Sequence, residues 1–210
     1  MTDYNYKIEK HLFPLIENFL KPNILEFGVQ NGRSTKKFLE ICKKNKGRLT
    51  SIDIADCSHL FIDKNWTFIQ SRDDDFEYLD KKIPKKFDII FLDSLHEANH
   101  VEKILYYYYS KLNVGGYFFI DDISPIPYLK DKERNSFYCE INNTETNQRI
   151  LEIYNNNTDL FDLSFSYISS GLAIIQKNKE KNLKKKQPLQ SRKFTIKNLL
   201  RNTWKLIKEI

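Results

Sequence analysis

Two short segments carry most of the side chains that could do chemistry. The first is Phe87-Asp88-Ile89-Ile90-Phe91-Leu92-Asp93-Ser94-Leu95-His96-Glu97, and the second is Gly115-Gly116-Tyr117-Phe118-Phe119-Ile120-Asp121-Asp122. Each is an apolar run that ends in carboxylates, which places Asp93 and the pair Asp121-Asp122 at the ends of neighbouring strands. Three clustered carboxylates repel one another and raise one another's pKa unless a cation sits among them. Hard oxygen donors with open positions suit Mg²⁺ best, then Mn²⁺ or Ca²⁺. His96 lies three residues past Asp93, within reach of the same crevice. An imidazole there can act as general base toward a sugar or phenol hydroxyl. Plainer roles stand beside these. Asp93 can cap the helix that starts near His96, His96 can be a surface or core histidine, and one of Asp121-Asp122 can cap the following loop. His11, His59 and His100 lack comparable partners in the sequence and read as structural.

A second set of residues faces the same sheet edge from an earlier strand. In Ile24-Leu25-Glu26-Phe27-Gly28-Val29-Gln30-Asn31-Gly32, the glycines can adopt positive φ and let a ligand approach the backbone. Ser34-Thr35 then opens a helix whose free N–H groups favour a carboxylate. Asp53 ends the next strand, where a carboxylate can accept both hydroxyls of a ribose. A dinucleotide turn usually reads G-x-G-x-x-G around a pyrophosphate. Here the spacing is Gly-x-x-x-Gly, and Glu26 would repel a pyrophosphate while suiting a cationic amino group, directly or through water. That combination points to S-adenosylmethionine as cofactor, with Glu26, Gly28, Gly32, Ser34 and Asp53 around it.

The elements that must position these groups alternate between two periodicities through residues 1–176. Strands are expected at Asn23–Phe27, Leu49–Asp53, Thr67–Gln70, Phe87–Leu92 and Tyr117–Ile120, each apolar enough to be covered on both faces. Helices are expected over Ser34–Lys44, with Ser34-Thr35 as caps, and over Glu97–Leu112, ended by Gly115-Gly116. After Pro125 and Pro127 a further helix is expected at Asn142–Tyr154, then strands Leu160–Tyr167 and Leu172–Gln176 around Ser169-Ser170-Gly171. The reading is an α/β, Rossmann-like, doubly wound seven-stranded mixed sheet, parallel with an antiparallel C-terminal hairpin.

These segments together resemble class I S-adenosylmethionine-dependent methyltransferases over roughly residues 20–176. Phe-Leu-Asp-x-x-His on the fourth strand, with Gly-Gly-(four residues)-Asp-Asp through the fifth, resembles the macrocin-type sugar O-methyltransferases. The resemblance implies Mg²⁺ at Asp93, Asp121 and Asp122, His96 as catalytic base, and a sugar or other vicinal-diol acceptor, either a small molecule or a glycan precursor. Departures are visible. Ser71-Arg72-Asp73 stands where the family commonly has Gly-Asp-Ser, leaving Asp73 as the candidate adenine contact, and Ser94 stands where relatives often have Gly. A long N-terminal extension is missing, so acceptor recognition falls to residues 1–20, 123–145 or a partner subunit in a homo-oligomer. Two alternatives stay open: a metal-independent N- or O-methyltransferase, and a non-catalytic nucleic-acid- or membrane-binding module on the same fold.

Charge divides the chain. Residues 177–210 hold twelve Lys/Arg against Glu180 and Glu209, a net of +10, which leaves residues 1–176 at −4 of the overall +6. The mildly acidic part carries no nucleic-acid motif, so nucleic acid is a poor partner. Asn178–Lys193 reads as a solvated Lys-rich linker. Over Phe194–Ile210, Ile196, Leu199, Leu200, Trp204, Ile207 and Ile210 recur at helical spacing among Lys197, Arg201, Lys205 and Lys208, the pattern of a basic amphipathic helix for an anionic membrane surface or a partner. No apolar run approaches the roughly 18–20 residues that span a bilayer. With no secretory signal at Met1–Asn5 and unpaired Cys42, Cys57 and Cys139, the expectation is a cytoplasmic protein with reduced thiols, open to peripheral contact with the inner face of a membrane. Tyr106–Tyr109 reads as core packing with a wet hydroxyl edge.

Overall fold

The computed structural model describes residues 3–126, 136–192 and 195–208. Pro127, the stretch 127–135 within the expected acceptor-recognition segment, Lys193, Phe194 and Ile210 lie outside the described residues. The chain opens with α1 (Asp3–Lys7), a π-helical turn (Ile8–Leu12) and α2 (Phe13–Ile16). It continues as β1 (Asn23–Phe27), α3 (Arg33–Asn45), β2 (Arg48–Asp53), a short 3₁₀ turn (Ser58–Leu60), β3 (Trp66–Gln70), α4 (Phe76–Asp80), β4 (Phe87–Leu92), α5 (Ala98–Tyr109) and β5 (Leu112–Asp121). Then come α6 (Phe137–Asn155), β6 (Phe161–Ser166), β7 (Leu172–Lys177) and α7 (Ile196–Lys208).

The strands form one sheet in the order β3-β2-β1-β4-β5-β7-β6. β1 to β5 are parallel, and β7 runs antiparallel between β5 and β6, so the expected mixed sheet is present. Alternate residues of the central strands feed two cores. Leu25, Phe27, Phe118 and Ile120 pack with Leu79, Val101, Ile104, Leu105, Tyr108 and Ile150 from α4, α5 and α6. Ile24, Ile89, Phe91 and Phe119 pack on the other face with Ile8, Leu12 and Ile16 of the N-terminal helical run and with Phe38 and Cys42 of α3. Order reverses between β1 and β4, and ligands of such sheets bind beyond the strand ends at that reversal.

Two expectations change. Ser34 and Thr35 do not cap α3. Gly32, in the left-handed conformation at φ 74°, is the N-cap, and the two hydroxyls turn inward. Helix α5 ends at Tyr109 rather than Leu112; β5 starts at Leu112, and Gly115-Gly116 lies within it instead of terminating a helix. A Cβ on Gly116 would lie 2.6 Å from the carbonyl oxygen of Asp88, so this glycine serves strand contact. The four tyrosines divide as expected: the hydroxyls of Tyr108 and Tyr109 are buried donors to the carbonyls of Asp73 and Leu160, and those of Tyr106 and Tyr107 lie at an exposed edge, donating to Lys184 O and Asp80.

The N-terminal run explains its own irregularity. Proline has no N–H, and its ring clashes with the carbonyl four residues back in an α-helix. The wider π turn directly precedes Pro14 and absorbs that mismatch, while Ile8, Leu12 and Ile16 stay buried. At the other end, residues 178–187 lie along the domain. Lys184 N–H donates to Asn157, Gln187 N–H to the Glu152 carbonyl, and the Lys186 ammonium to Glu102. The segment read as a solvated linker is therefore hydrogen-bonded to α5 and α6 over its first half.

Candidate active site

Glu26 is the organising residue of the β1 end. It lies on the α3 face of the sheet with no exposed surface, and both its oxygens are engaged. Ser34 Oγ donates to Oε1 at 2.6 Å, and Thr35 Oγ1 and Ser51 Oγ donate to Oε2 at 2.8 and 2.6 Å. Trp66 Nε1 in turn donates to Ser51 at 2.9 Å. The carboxylate thus ties β1 to the first turn of α3 and to β2 and β3. Burial pushes its pKa up to about 7 against the pull of the three hydroxyls, and the Asp53 charge adds to the rise.

That rise makes a pH prediction. The folded protein holds the Glu26 proton above the ordinary glutamate value of 4.5. Its stabilising contribution is complete below that value and is lost as pH rises through about 7. The loss is on the order of 3 kcal/mol at most. Glu26→Gln is expected to flatten the decline in urea-unfolding free energy between pH 5 and 8. An unchanged pH slope would refute the assignment.

Asp53 closes the same turn. Its Oδ2 accepts the N–H groups of Val29 at 2.7 Å and Gln30 at 3.0 Å, and Oδ1 accepts that of Ala55 at 2.9 Å. Burial pushes its pKa up, but the N–H groups of Gln30, Ala55, Val29 and Ile54 outweigh it and hold the carboxyl below the usual aspartate value. Gly28, at φ 88°, leaves no space for a side chain, since a Cβ would fall 2.0 Å from the Asp93 carbonyl oxygen. At Gly32 the neighbour is the Phe61 ring, 2.7 Å from such a Cβ. The first glycine therefore joins the β1 turn to the end of β4, where the second group of residues sits.

His96 Nε2 lies 3.6 Å from Asp93 Oδ1 and 3.4 Å from Asp122 Oδ2. Asp122 holds a left-handed backbone at φ 57°, unusual for a non-glycine residue, and donates its N–H to Asp121 Oδ1 at 2.9 Å. Burial, then the charges of Asp121 and Asp122, hold Asp93 well above the usual carboxylate range, against the pull of Lys7 and the Tyr4 hydroxyl. The sequence-predicted quartet Asp93, His96, Asp121 and Asp122 is thus brought to one crevice. Lys7 and Tyr4 were not predicted there. Tyr4 OH donates to Asp93 Oδ2 at 3.1 Å, and the fully buried Lys7 is ion-paired with Asp121.

The fit of this crevice to a divalent cation rests on its donors. They are hard carboxylate oxygens whose mutual repulsion calls for positive charge. Asp121 Oδ2 is buried and has no hydrogen-bond partner among the described residues. As the side chains stand, no three His, Cys, Asp or Glu groups among the described residues surround one metal position. The donor set fits in kind, and side-chain rotation would have to complete it.

Asp73 also gains partners that its sequence context hides. Its Oδ2 accepts the Ser94 hydroxyl and lies 2.9 Å from His100 Nε2. His100, read as structural and partnerless, therefore pairs with a candidate adenine contact. Two departures from the family pattern, Asp73 and Ser94, turn out to bond to each other.

Residues 25–123 match the family model described as a methyltransferase domain. Over just under half of its length the chain is therefore similar to methyltransferase domains. Among solved structures, MycE methyltransferase from the mycinamycin biosynthetic pathway, in complex with Mg and SAH, aligns with a TM-score of 0.61 at 20% identity, covering 82% of this chain and 50% of that one. A putative caffeoyl-CoA O-methyltransferase from Staphylococcus aureus aligns with a TM-score of 0.61 at 18% identity, covering 85% of each chain. SAH-bound Podospora anserina methyltransferase PaMTH1 aligns at 0.59 and 19% identity, covering 75% of this chain and 72% of that one. The fold is that of class I methyltransferases, and the chain spans about half the length of the MycE chain. Comparison with curated proteins by sequence gave no match.

Proposed function

We propose that this methyltransferase domain uses S-adenosylmethionine to methylate a hydroxyl of a sugar or other vicinal diol, with a divalent cation assisting. The observation that carries the reading is His96 Nε2 set between Asp93 Oδ1 and Asp122 Oδ2, across the strand ends from the Glu26–Asp53 turn. The solved relatives support it by what they hold: MycE was crystallised with Mg, SAH and mycinamycin VI. When bound, the cofactor supplies an electrophilic methyl, and a cation at Asp93, Asp121 and Asp122 lowers the pKa of the acceptor hydroxyl. His96 takes that hydroxyl's proton at Nε2, and Asp93 and Asp122 hold the imidazole in place and stabilise its charged form. Glu26 orders the Ser34 and Thr35 hydroxyls at the start of α3, beside the cofactor's amino group. Asp53 accepts from the ribose, and Asp73, fixed by Ser94 and His100, borders the adenine.

Calorimetric titration with S-adenosylhomocysteine tests the donor half, and no binding at high micromolar concentration would overturn it. Label transfer from S-adenosylmethionine to a panel of sugars and catechols, with and without EDTA, tests the acceptor half. A second reading, transfer without metal, is favoured by one observation, the Lys7 ammonium already paired with Asp121. EDTA-insensitive turnover would select it.

The tail adds a membrane contact to the proposal. Helix α7 exposes Ile196, Leu199, Leu200, Trp204 and Ile207 by more than half each, with Lys197, Arg201 and Lys205 among them and no acidic residue from 196 to 208. No helix among the described residues is long and apolar enough to cross a membrane. An anionic bilayer surface matches both faces of α7. Sedimentation with phosphatidylserine vesicles is expected to capture the full chain at 0.1 M salt, to weaken at 0.5 M, and to fall at least tenfold in Trp204→Ala. Equal capture by neutral vesicles would refute charge-led binding.

A further inference from the structure

Helix α1 delivers two side chains to the acidic crevice, and each of them holds one oxygen of a carboxylate. Lys7 has no exposed surface. Its ammonium has three protons, and three acceptors meet it: Asp121 Oδ1, Ser170 Oγ at 2.9 Å and the Gly171 carbonyl at 3.3 Å. Asp121 Oδ1 also takes the Asp122 N–H, so this oxygen is fully occupied. Its twin, Oδ2, is buried without a hydrogen-bond partner among the described residues. Tyr4 repeats the pattern on Asp93. Its hydroxyl takes Oδ2, and Oδ1 is left on the His96 side.

We infer that Lys7 is a positioning residue for the cation site: it anchors Asp121 by one oxygen so that the other is presented to a divalent metal. The inference rests on reading Asp93, Asp121 and Asp122 as the metal's ligands. An ammonium that merely replaced the metal would sit among the carboxylates and bond to more than one of them. Lys7 bonds to one, and its remaining donors go to Ser170 and Gly171 in the turn between β6 and β7. That turn is shaped for the purpose. Gly171 has φ 88°, and a Cβ there would fall 2.5 Å from Ser124 N, so the chain packs tightly where its carbonyl receives Lys7. Charge agrees. Three carboxylates carry three negative charges, and a divalent cation together with one ammonium balances them, whereas either alone does not. Ligating carboxylates are commonly held by a hydrogen bond to their other oxygen, and loss of such a partner weakens metal binding.

The test is Mn²⁺ titration of the full chain, read by the electron paramagnetic resonance of free Mn²⁺, for wild type, Lys7→Met and Asp121→Asn. S-adenosylhomocysteine affinity of each variant reports whether the cofactor half remains folded. Lys7→Met is expected to weaken Mn²⁺ binding about 10–100-fold and to leave S-adenosylhomocysteine affinity within twofold. Should Lys7→Met fail to fold, Lys7→Gln keeps an N–H donor without the charge and is expected to weaken Mn²⁺ by at least tenfold. Unchanged or tighter Mn²⁺ binding in the folded variant overturns the role of Lys7 alone. A wild type that binds S-adenosylhomocysteine but no Mn²⁺ at millimolar concentration overturns the metal reading itself, and Lys7's role with it.

Discussion

Gly28→Ala is expected to destabilise the domain by about 4 kcal/mol or more and to abolish binding of S-adenosylhomocysteine. Two costs add. The first is the left-handed backbone, φ 88° at Gly28, which is about 1–2 kcal/mol less favourable for a residue with a Cβ. The second is contact. The new Cβ would fall 2.0 Å from the carbonyl oxygen of Asp93 and 2.7 Å from its carbonyl carbon. Neither partner is a flexible side-chain tip. Both are backbone at the end of β4, whose N–H is already bonded to Phe27 at 2.9 Å, so relief requires the two strand ends to part. That motion would shift Val29 and Gln30, whose N–H groups meet Asp53, and would carry Asp93 away from His96. Gly115→Ala separates the two costs, because Gly115 has φ 80° and nothing within 4 Å of an added Cβ. It is expected to lose only about 1–2 kcal/mol. Urea unfolding of the two variants measures the difference, and equal losses would show that the Gly28 contact relaxes freely.

The same residue marks what sequence alone can and cannot give. That Gly28 sits in a tight turn at the end of β1 was legible from Glu26, Gly32 and Asp53 around it. That it must be glycine because β4 passes beside it was not, since Asp93 is far along the chain. Strands β1 and β4 were legible to the residue because apolar runs buried on both faces stop abruptly at polar ones. The end of α5 was misread for a physical reason. Leu112 continues the apolar spacing of Val101, Ile104, Leu105 and Tyr108, and Gly115-Gly116 looks like a helix stop, yet Leu112 pairs with Phe87 in the sheet. The N-terminal helix was missed because Pro14 and the π turn break the 3.6-residue period that Ile8, Leu12 and Ile16 would otherwise announce. Missing the helix meant missing Lys7 and Tyr4. A buried lysine carries no local signature, because its partners Asp121 and Ser170 are brought to it only by the closed sheet. The His100–Asp73 pair was invisible for the same reason, its members 27 residues apart on different elements.

His96→Gln is expected to lower kcat by about 10²–10⁴-fold while S-adenosylhomocysteine affinity and the KM for the acceptor change little. Glutamine keeps a side-chain amide that can hydrogen-bond to Asp93 and Asp122, so the carboxylates stay positioned. It cannot accept a proton. The substitution therefore separates holding the crevice together from taking the proton, two roles that the proposed function gives to one imidazole 3.4 and 3.6 Å from two carboxylate oxygens. The pH profile makes the distinction sharper. A base must be unprotonated to act, so wild-type kcat/KM should fall on the acid side, and that limb should vanish in His96→Gln. Asp122→Asn keeps the imidazole and should retain the limb. Should His96→Gln keep the acid limb and lose less than fivefold in rate, the proton must leave by another route. The remaining bases of the crevice are then its carboxylates, of which Asp93, held well above the usual carboxylate range by burial and by Asp121 and Asp122, is the most basic candidate.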